Sequence, residues 1–289
     1  MSSGPDNPWL HRYAIFLAIC TLFLMVLGAA VTSYRPQSPA APSSDTAALE
    51  QLHRTVAFAV TGLTLVLVVW LSLAAKRGGV RWLGWAVLAI VILAVAGGEQ
   101  MAAQRLPGAM PILHAYLAQL LFAAMVAMAV ITSASWQRSS ELVADRFSLR
   151  AMGLIVPAFV FIQIGLGAAY RHQAMGVLTH IFGAMVVAVF VLLVGVLAVK
   201  QYPQHRSLRP AAITLMSITG AQVLLGFAAF ITRLMTTKAT LAVVISTVAH
   251  VTTGALTLAA SVILAIYIGR EIRGSAAVKP ESSPTPVHS

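Results

Sequence analysis

Charged residues are scarce in this sequence. They make up 9% of the chain, whereas hydrophobic residues make up 59%; a soluble globular domain carries roughly 25% charged residues. A chain with so few charges cannot cover a folded surface that faces water, so lipid must be its solvent. The composition therefore excludes a soluble enzyme and predicts an integral membrane protein without a sizeable soluble domain.

Cysteine is nearly absent as well. The only cysteine, Cys20, lies within the first apolar run, so no intramolecular disulfide can form. The formal net charge is +11, but the basic residues lie in short segments between apolar runs and form no continuous patch. This distribution is typical of residues that orient membrane helices, and it predicts no nucleic-acid partner.

Eight long apolar runs account for most of the chain. They lie near residues 12–33, 54–75, 82–99, 114–135, 149–170, 180–199, 210–232 and 242–268. All eight are predicted to be transmembrane α-helices, because a lipid-facing span must satisfy its backbone hydrogen bonds internally. The first run is predicted to be a span and not a cleaved signal peptide. Disorder is predicted for residues 1–11 and for the tail, 276–289.

The basic residues also predict how the helices are oriented. If the N-terminus is cytoplasmic, thirteen of the 19 Lys and Arg residues lie in cytoplasmic segments and six lie on the outer side. Because Lys and Arg are retained preferentially on the cytoplasmic side, both termini are predicted to be cytoplasmic.

A short motif recurs at the ends of the odd-numbered runs. Leu-Gly-Ala-Ala occupies residues 27–30 in the first run and 166–169 in the fifth. Ala-Gly-Gly at residues 96–98 in the third run and Leu-Gly-Phe-Ala-Ala at 225–229 in the seventh lie at the equivalent depth. The recurrence indicates an internal duplication.

The duplication predicts two tandem, pseudo-symmetric four-helix bundles. The N-terminal half covers residues 1–140 and the C-terminal half covers 141–275. Each half has an even number of spans, so both insert the same way up as a parallel repeat. The alternative is that Gly and Ala recur only because they let membrane helices approach closely.

Four of the eight histidines occupy equivalent positions. Each even-numbered run has one near its start, and the four are His53, His114, His180 and His250. All even-numbered helices run inward, so these side chains lie at one depth near the outer face. The two axial ligands of a haem must approach the iron from opposite sides at one depth, and histidine is a common ligand. The positions predict two haem sites within helix bundles, His53 with His114 and His180 with His250.

Two other interpretations of these histidines remain open. A single histidine near the end of a span is often interfacial or hydrogen-bonds between helices, as in a transporter or an assembly scaffold. A zinc site would require a tight tetrahedral cluster, whereas these histidines fall two to each half. Ionisable residues within spans are costly and tend to be functional, which, with the fourfold recurrence, favours haem.

An acidic residue distinguishes the first pair from the second. Glu50 precedes His53 by three residues and shares its helix face if the helix begins early enough. It could accept a proton or stabilise a cationic intermediate, or it could be an acid favoured by the helix dipole. The equivalent position before His180 is Val177. The first half is therefore predicted to be reactive and the second to be a plain bis-histidine haem site.

Further charged residues lie on the outer side, where the orientation rule does not require them. Arg54 and Arg171 are candidate cofactor-binding residues, since haem carboxylates are natural anionic partners of arginine; the alternative is that they extend to the membrane interface. Glu99, at the end of the third run, either hydrogen-bonds a ligand or marks the membrane boundary.

Taken together, these features resemble the haem A synthase family of cytochrome oxidase assembly proteins. The resemblance covers nearly the whole chain, in its eight spans and its histidine on every even-numbered run. The most specific element is Glu-Gln-Leu-His-Arg at residues 50–54, which is similar to that family's Glu-x-x-His-Arg signature. His114, His180 and His250 match the other three family histidines by position.

The resemblance implies an enzyme that oxidises the ring D methyl group of haem O to a formyl group by two successive hydroxylations. Glu50, His53 and His114 would then be catalytic residues that face the substrate haem. His180 and His250 would hold a resident haem b. The implied location is a bacterial cytoplasmic membrane, and the implied partners are haem O synthase, cytochrome oxidase assembly factors and an unidentified electron donor.

The sequence departs from the family in one respect. Many members carry a cysteine pair in the outer loop between the first two spans, and the corresponding segment, residues 34–49, contains none. The chain would then belong to a cysteine-free branch, or it would be a non-catalytic dihaem b-type protein that transfers electrons or binds haem without making haem A.

Overall fold

A computed structural model describes residues 8–34, 44–75, 77–102, 109–138, 140–236 and 238–273. Eight helices within these ranges are long and apolar enough to cross a membrane, which confirms the predicted all-α membrane fold. They are α1 (Pro8–Tyr34), α2 (Ser44–Ala74), α3 (Gly78–Ala102), α4 (Met110–Ile131), α5 (Leu149–Arg171), α6 (Val177–Gln201), α7 (Leu208–Met235) and α8 (Leu241–Glu271). A one-turn helix (Ala134–Gln137) and two short strands, β1 (Val143–Ala144) and β2 (Ile272–Arg273), complete the described elements.

Several helix boundaries differ from the predicted runs, and two of these differences affect other predictions. α2 begins at Ser44 and not near residue 54, because the segment between is rich in Ala, Leu, Glu and Gln, which are strong helix formers. α1 begins at Pro8, so the prediction of disorder was wrong for residues 8–11; proline is well tolerated at the first position of a helix. The other segments for which disorder was predicted, 1–7 and 276–289, lie outside the described residues.

The eight helices pack as two closed rings of four. In the first ring α1 contacts α2 and α4, and α3 contacts α2 and α4; in the second, α5 contacts α6 and α8, and α7 contacts α6 and α8. Each ring encloses its own cluster of buried apolar side chains. The predicted tandem pseudo-symmetry of the two rings, and the domain boundary at residue 140, stay predictions.

The rings join along α1 and α4 on one side and α5 and α8 on the other. A small apolar cluster fills this junction and contains Met25, Phe122, Ala255 and Ala259. Tyr116 of α4 adds an aromatic contact, with its ring 4.7 Å from that of Phe161 on α5. The two rings of helices are therefore held in contact by packed side chains.

The face at which α1 begins and α8 ends, called the inner face after the predicted orientation, is closed by polar contacts. β1 and β2 pair in parallel there, and the Tyr202 hydroxyl donates a hydrogen bond of 2.7 Å to the Ala144 carbonyl. Burial raises the pKa of Tyr202, which keeps its hydroxyl protonated as a donor. His205 lies buried 3.7 Å from Glu271, so this loop histidine has a structural partner.

Candidate functional site

The four equivalent histidines lie together in two pairs. The ring centroids of His53 on α2 and His114 on α4 are 6.4 Å apart, with an interplanar angle of 71°. Those of His180 on α6 and His250 on α8 are 6.1 Å apart, with an angle of 86°. All four residues are only partly buried. The structure thus brings together the pairs that the sequence predicted, one in each ring of helices.

The separation within each pair suits a metal held between two imidazoles. In a bis-histidine haem each ligating nitrogen lies about 2 Å from the metal and the ring centroid roughly 1.1 Å farther out, so the centroids are about 6 Å apart. The observed 6.4 Å and 6.1 Å agree with this spacing. The residues present therefore fit a haem in each half.

Each histidine ring rests against a glycine of the preceding helix. A Cβ atom added to these glycines would lie close to the histidine Cε1: 2.9 Å at Gly28 (His53), 3.3 Å at Gly98 (His114), 2.9 Å at Gly167 (His180) and 3.0 Å at Gly226 (His250). Such distances are too short for a comfortable contact. We call these four residues the glycine seats. They are the glycines of the recurring sequence motif, so the recurrence reflects a repeated contact with histidine, which the sequence alone did not reveal.

Backbone carbonyls orient two of the four rings. The Nδ1 atom of His114 donates to the carbonyl of Ala94, at 3.0 Å, and that of His250 donates to the carbonyl of Gln222, at 3.2 Å. Each carbonyl lies four residues before the glycine seat. Because Nδ1 carries the proton, Nε2 is left with a free lone pair, which is the usual arrangement of a metal-binding histidine.

The other two rings have different surroundings. The Nε2 atom of Gln163 lies 2.8 Å from Nδ1 of His180 and also donates to the His180 carbonyl, at 2.8 Å. The Gln163 backbone is a further hydrogen-bonding partner of His180. His53 lies against the Leu24 backbone, yet its Nδ1 is buried without an aligned hydrogen bond to any described residue. Leu24 in the first half therefore occupies the position next to the histidine that Gln163 occupies in the second half.

Glu50 lies one helical turn before His53, because α2 begins at Ser44. Its carboxylate interacts electrostatically with the His53 ring, and the residue is partly buried. The helix therefore begins early enough for Glu50 to share a helix face with His53. An acidic group is therefore positioned beside the first histidine pair, and the second pair has no counterpart at Val177.

The outer arginines have distinct partners. Arg54 donates a hydrogen bond of 2.8 Å to the Glu99 carboxylate. The two side chains are 46% and 39% exposed, and this ion pair was not predicted from the sequence. Arg171 donates to the Ala29 carbonyl at 2.7 Å and to the Ser33 hydroxyl at 2.8 Å. It therefore links α5 of the second ring to α1 of the first.

Two other arrangements bear on the site. Among the described residues, no three His, Cys, Asp or Glu side chains converge on a point that could hold a metal ion, so a tetrahedral zinc site lacks ligands there. A groove of about 490 Å³ lies between α1, α4 and α8 and includes His11, Ser133 and Tyr267. None of the four paired histidines lines this groove, so it is separate from the candidate haem sites.

No protein-family model matches this chain, and no curated protein matches it. Its function is therefore inferred from its residues and their arrangement.

Proposed function

We propose that this protein is a haem A synthase that oxidises the ring D methyl group of haem O to a formyl group. One observation carries the proposal most directly: Glu50 interacts with the ring of His53, which itself lies 6.4 Å from the ring of His114. The likeness of residues 50–54 to the Glu-x-x-His-Arg signature adds to this support.

In this proposal the first half binds the substrate. His53 and His114 hold haem O from opposite faces, and the seats at Gly28 and Gly98 fix the two imidazoles. Two successive hydroxylations convert the methyl group to a geminal diol, which loses water to give the formyl group. Glu50 accepts protons or stabilises positive charge that develops near the substrate, because it is the acidic group beside His53.

The second half binds a resident haem b between His180 and His250. A haem in this position supplies one-electron transfer. The residues of the chain orient it: the Gln222 carbonyl fixes the His250 ring, and Gln163 contacts His180. Arg171 interacts electrostatically with His250, so its guanidinium would be available to the carboxylates of a haem bound there.

The proposed setting is a bacterial cytoplasmic membrane, with both termini cytoplasmic and both haem sites toward the outer side. The charge asymmetry of the segments between helices supports this orientation. Haem O synthase would supply the substrate, and cytochrome oxidase assembly factors would receive the product. A separate electron donor is required if dioxygen is the oxidant, because each hydroxylation then inserts one oxygen atom into a C–H bond and reduces the other to water with two electrons and two protons from the donor. If water supplies the oxygen atom, each step instead releases two electrons and two protons, and the second half must pass the electrons to an acceptor.

The alternative is a non-catalytic dihaem b-type protein for electron transfer or haem binding. The occurrence of a glycine seat under all four histidines favours it, because this contact serves haem binding equally in both halves. The lack of an outer-loop cysteine pair also agrees with it. This alternative needs the four histidines but not Glu50.

The deciding experiment is to express the protein in a host that makes haem O and to identify the extracted haems by chromatography and mass. We expect haem A or its hydroxylated intermediate from the unaltered chain, and neither from Glu50→Ala, which should still retain the second-half haem. Glu141→Ala removes an exposed acid from a loop at the inner face and serves as the matched control. Normal conversion by Glu50→Ala would refute the catalytic role, and haem B alone in every sample would favour the alternative.

A further inference from the structure

The two halves present different charges to a bound anion at the outer side. In the first half, Arg54 already has a carboxylate partner, Glu99. In the second, Arg171 follows Gly167 by one helical turn and Arg233 follows Gly226 by two, so each lies on the helix face that carries a glycine seat, outward of the second histidine pair. The two guanidinium groups are close enough to interact electrostatically. Neither of these arginines forms an ion pair with any Asp or Glu among the described residues.

An unneutralised pair of arginines is unfavourable without an anion. Both residues are partly buried at the ends of α5 and α7, where like charges are poorly screened. Arg171 uses one terminal nitrogen for the Ala29 and Ser33 contacts, and a guanidinium has five N–H donors. Donors therefore remain to bind a carboxylate, and Arg171 lies one helical turn beyond the glycine seat of His180, which places it near the second histidine pair.

The Arg54–Glu99 pair, in contrast, weakens the binding of an anion. A carboxylate that binds Arg54 must compete with Glu99, which also repels it. The pair is solvent-exposed, and such pairs contribute little stability, so Glu99 can be displaced and can return. A ligand held in the first half thus meets a competing group that the second half lacks.

From this contrast we propose that the outer arginines set the residence time of haem in each half: Arg54 with Glu99 makes the first site exchangeable, whereas Arg171 with Arg233 retains the second haem by its carboxylates. The inference rests on the proposed function, since it assumes that both halves bind haem. It matches the needs of the two sites, because a substrate must leave as product and a resident cofactor must stay.

The test measures the release of haem B, whose carboxylates stand in for those of haem O. Purified protein loaded with haem B is mixed with excess apomyoglobin, and transfer is followed by absorbance. Two phases are expected; His114→Ala should abolish the fast phase and His180→Ala the slow one, which assigns each phase to one half.

Two substitutions then probe the arginines. Glu99→Gln should slow the fast phase about two- to fivefold, the range for loss of an exposed ion pair. Arg233→Gln should accelerate the slow phase by about tenfold or more, since hydrogen bonds to charged groups are stronger, and Arg233→Lys should restore part of the retention. Lys238→Gln removes the same charge from an exposed position on the same side and should change neither phase.

The outcomes separate this inference from the proposed function. The inference would be overturned if the two halves released haem at equal rates, or if Glu99→Gln left the fast phase unchanged. Either result would leave haem binding by both halves intact. A chain that binds no haem B at all would overturn both.

Discussion

The two halves of this protein share one construction and differ in the residues that surround it. In each half, two histidines on alternate helices face each other, with a glycine seat under each ring. Around this framework the first half has Glu50 and an Arg54 that is paired with Glu99, whereas the second has Gln163 and two arginines that form no ion pair with a described Asp or Glu. Under the proposed function the shared contacts hold a haem in each half, and the differences give each half its own chemistry.

The strongest test of the comparison is to remove one ligand from each half in turn. Substituting Ala for His180 or His250 should remove the second-half haem, because the protein would then keep only one of the two side chains that would hold the iron. The first half should still bind added haem B. Haem content per protein, measured by absorbance of a pyridine extract, distinguishes loss of haem from the second half alone from loss from both halves. An unchanged haem content in both variants would refute the ligand assignment.

A second test disrupts the packing between the two rings of helices. A side chain at Gly165 would overlap the hydroxyl and ring of Tyr116, so Gly165→Ala should force α4 and α5 apart and cost about 1–3 kcal/mol, as overpacking does. Thermal unfolding in detergent measures the loss.

The matched control for this substitution is Gly220→Ala on α7, where an added Cβ meets nothing within 4 Å. It should leave stability unchanged or raise it slightly, because alanine favours helix more than glycine does. The double variant with Tyr116→Ala should recover part of the loss at Gly165. Equal unfolding temperatures for Gly165→Ala and Gly220→Ala would contradict the packing described for this junction.

A third test addresses the glycine seats, which the halves have in common. Gly28→Ala and Gly167→Ala each place a Cβ 2.9 Å from a histidine Cε1, so the ring must move. Loss of such supporting contacts typically lowers metal affinity by about 10- to 100-fold. Haem titration should show the loss in the first half for Gly28→Ala and in the second for Gly167→Ala.

Two further glycines calibrate this effect. Gly98→Ala should be milder, because its Cβ would lie 3.3 Å from the ring, and Gly62→Ala on α2 should have no effect, since nothing lies within 4 Å there. Equal haem affinities across all four variants would show that the seats are not needed to position the rings.

The smallest expected effect concerns the glutamines of the second half. Gln163 touches the His180 ring through its side chain, so Gln163→Leu should shift the haem reduction potential by roughly tens of millivolts, as changes in ligand hydrogen bonding do. Gln222 binds His250 through its backbone carbonyl, which Gln222→Leu retains. A redox titration in which both variants shift equally would argue against a specific role for the Gln163 side chain.

Much of the fold could be predicted because the physical constraint acts on each segment separately. A span in lipid must be long, apolar and helical, and each of the eight runs satisfies this without reference to the others. The pairing of histidines could be predicted for a related reason: alternate spans run in the same direction, which fixes the depth of His53, His114, His180 and His250.

The start of α2 was harder to predict. Residues 44–53 are too polar to count as a span, yet they continue the helix beyond the apolar stretch. An apolar run marks the part of a helix that contacts lipid and not its full length. Glu50 enters the site only because the helix extends this far.

Eight membrane helices, with a histidine near the start of every second one, can be predicted from the amino-acid sequence because hydropathy and chain direction are properties of single segments. The contacts between helices cannot: they include the glycine under each histidine ring, the Arg54–Glu99 ion pair, and the hydrogen bonds by which Arg171 links the two rings of helices through α1. These contacts join residues far apart in the chain, and their partners depend on how the helices are rotated and packed. No local pattern in the sequence specifies that rotation.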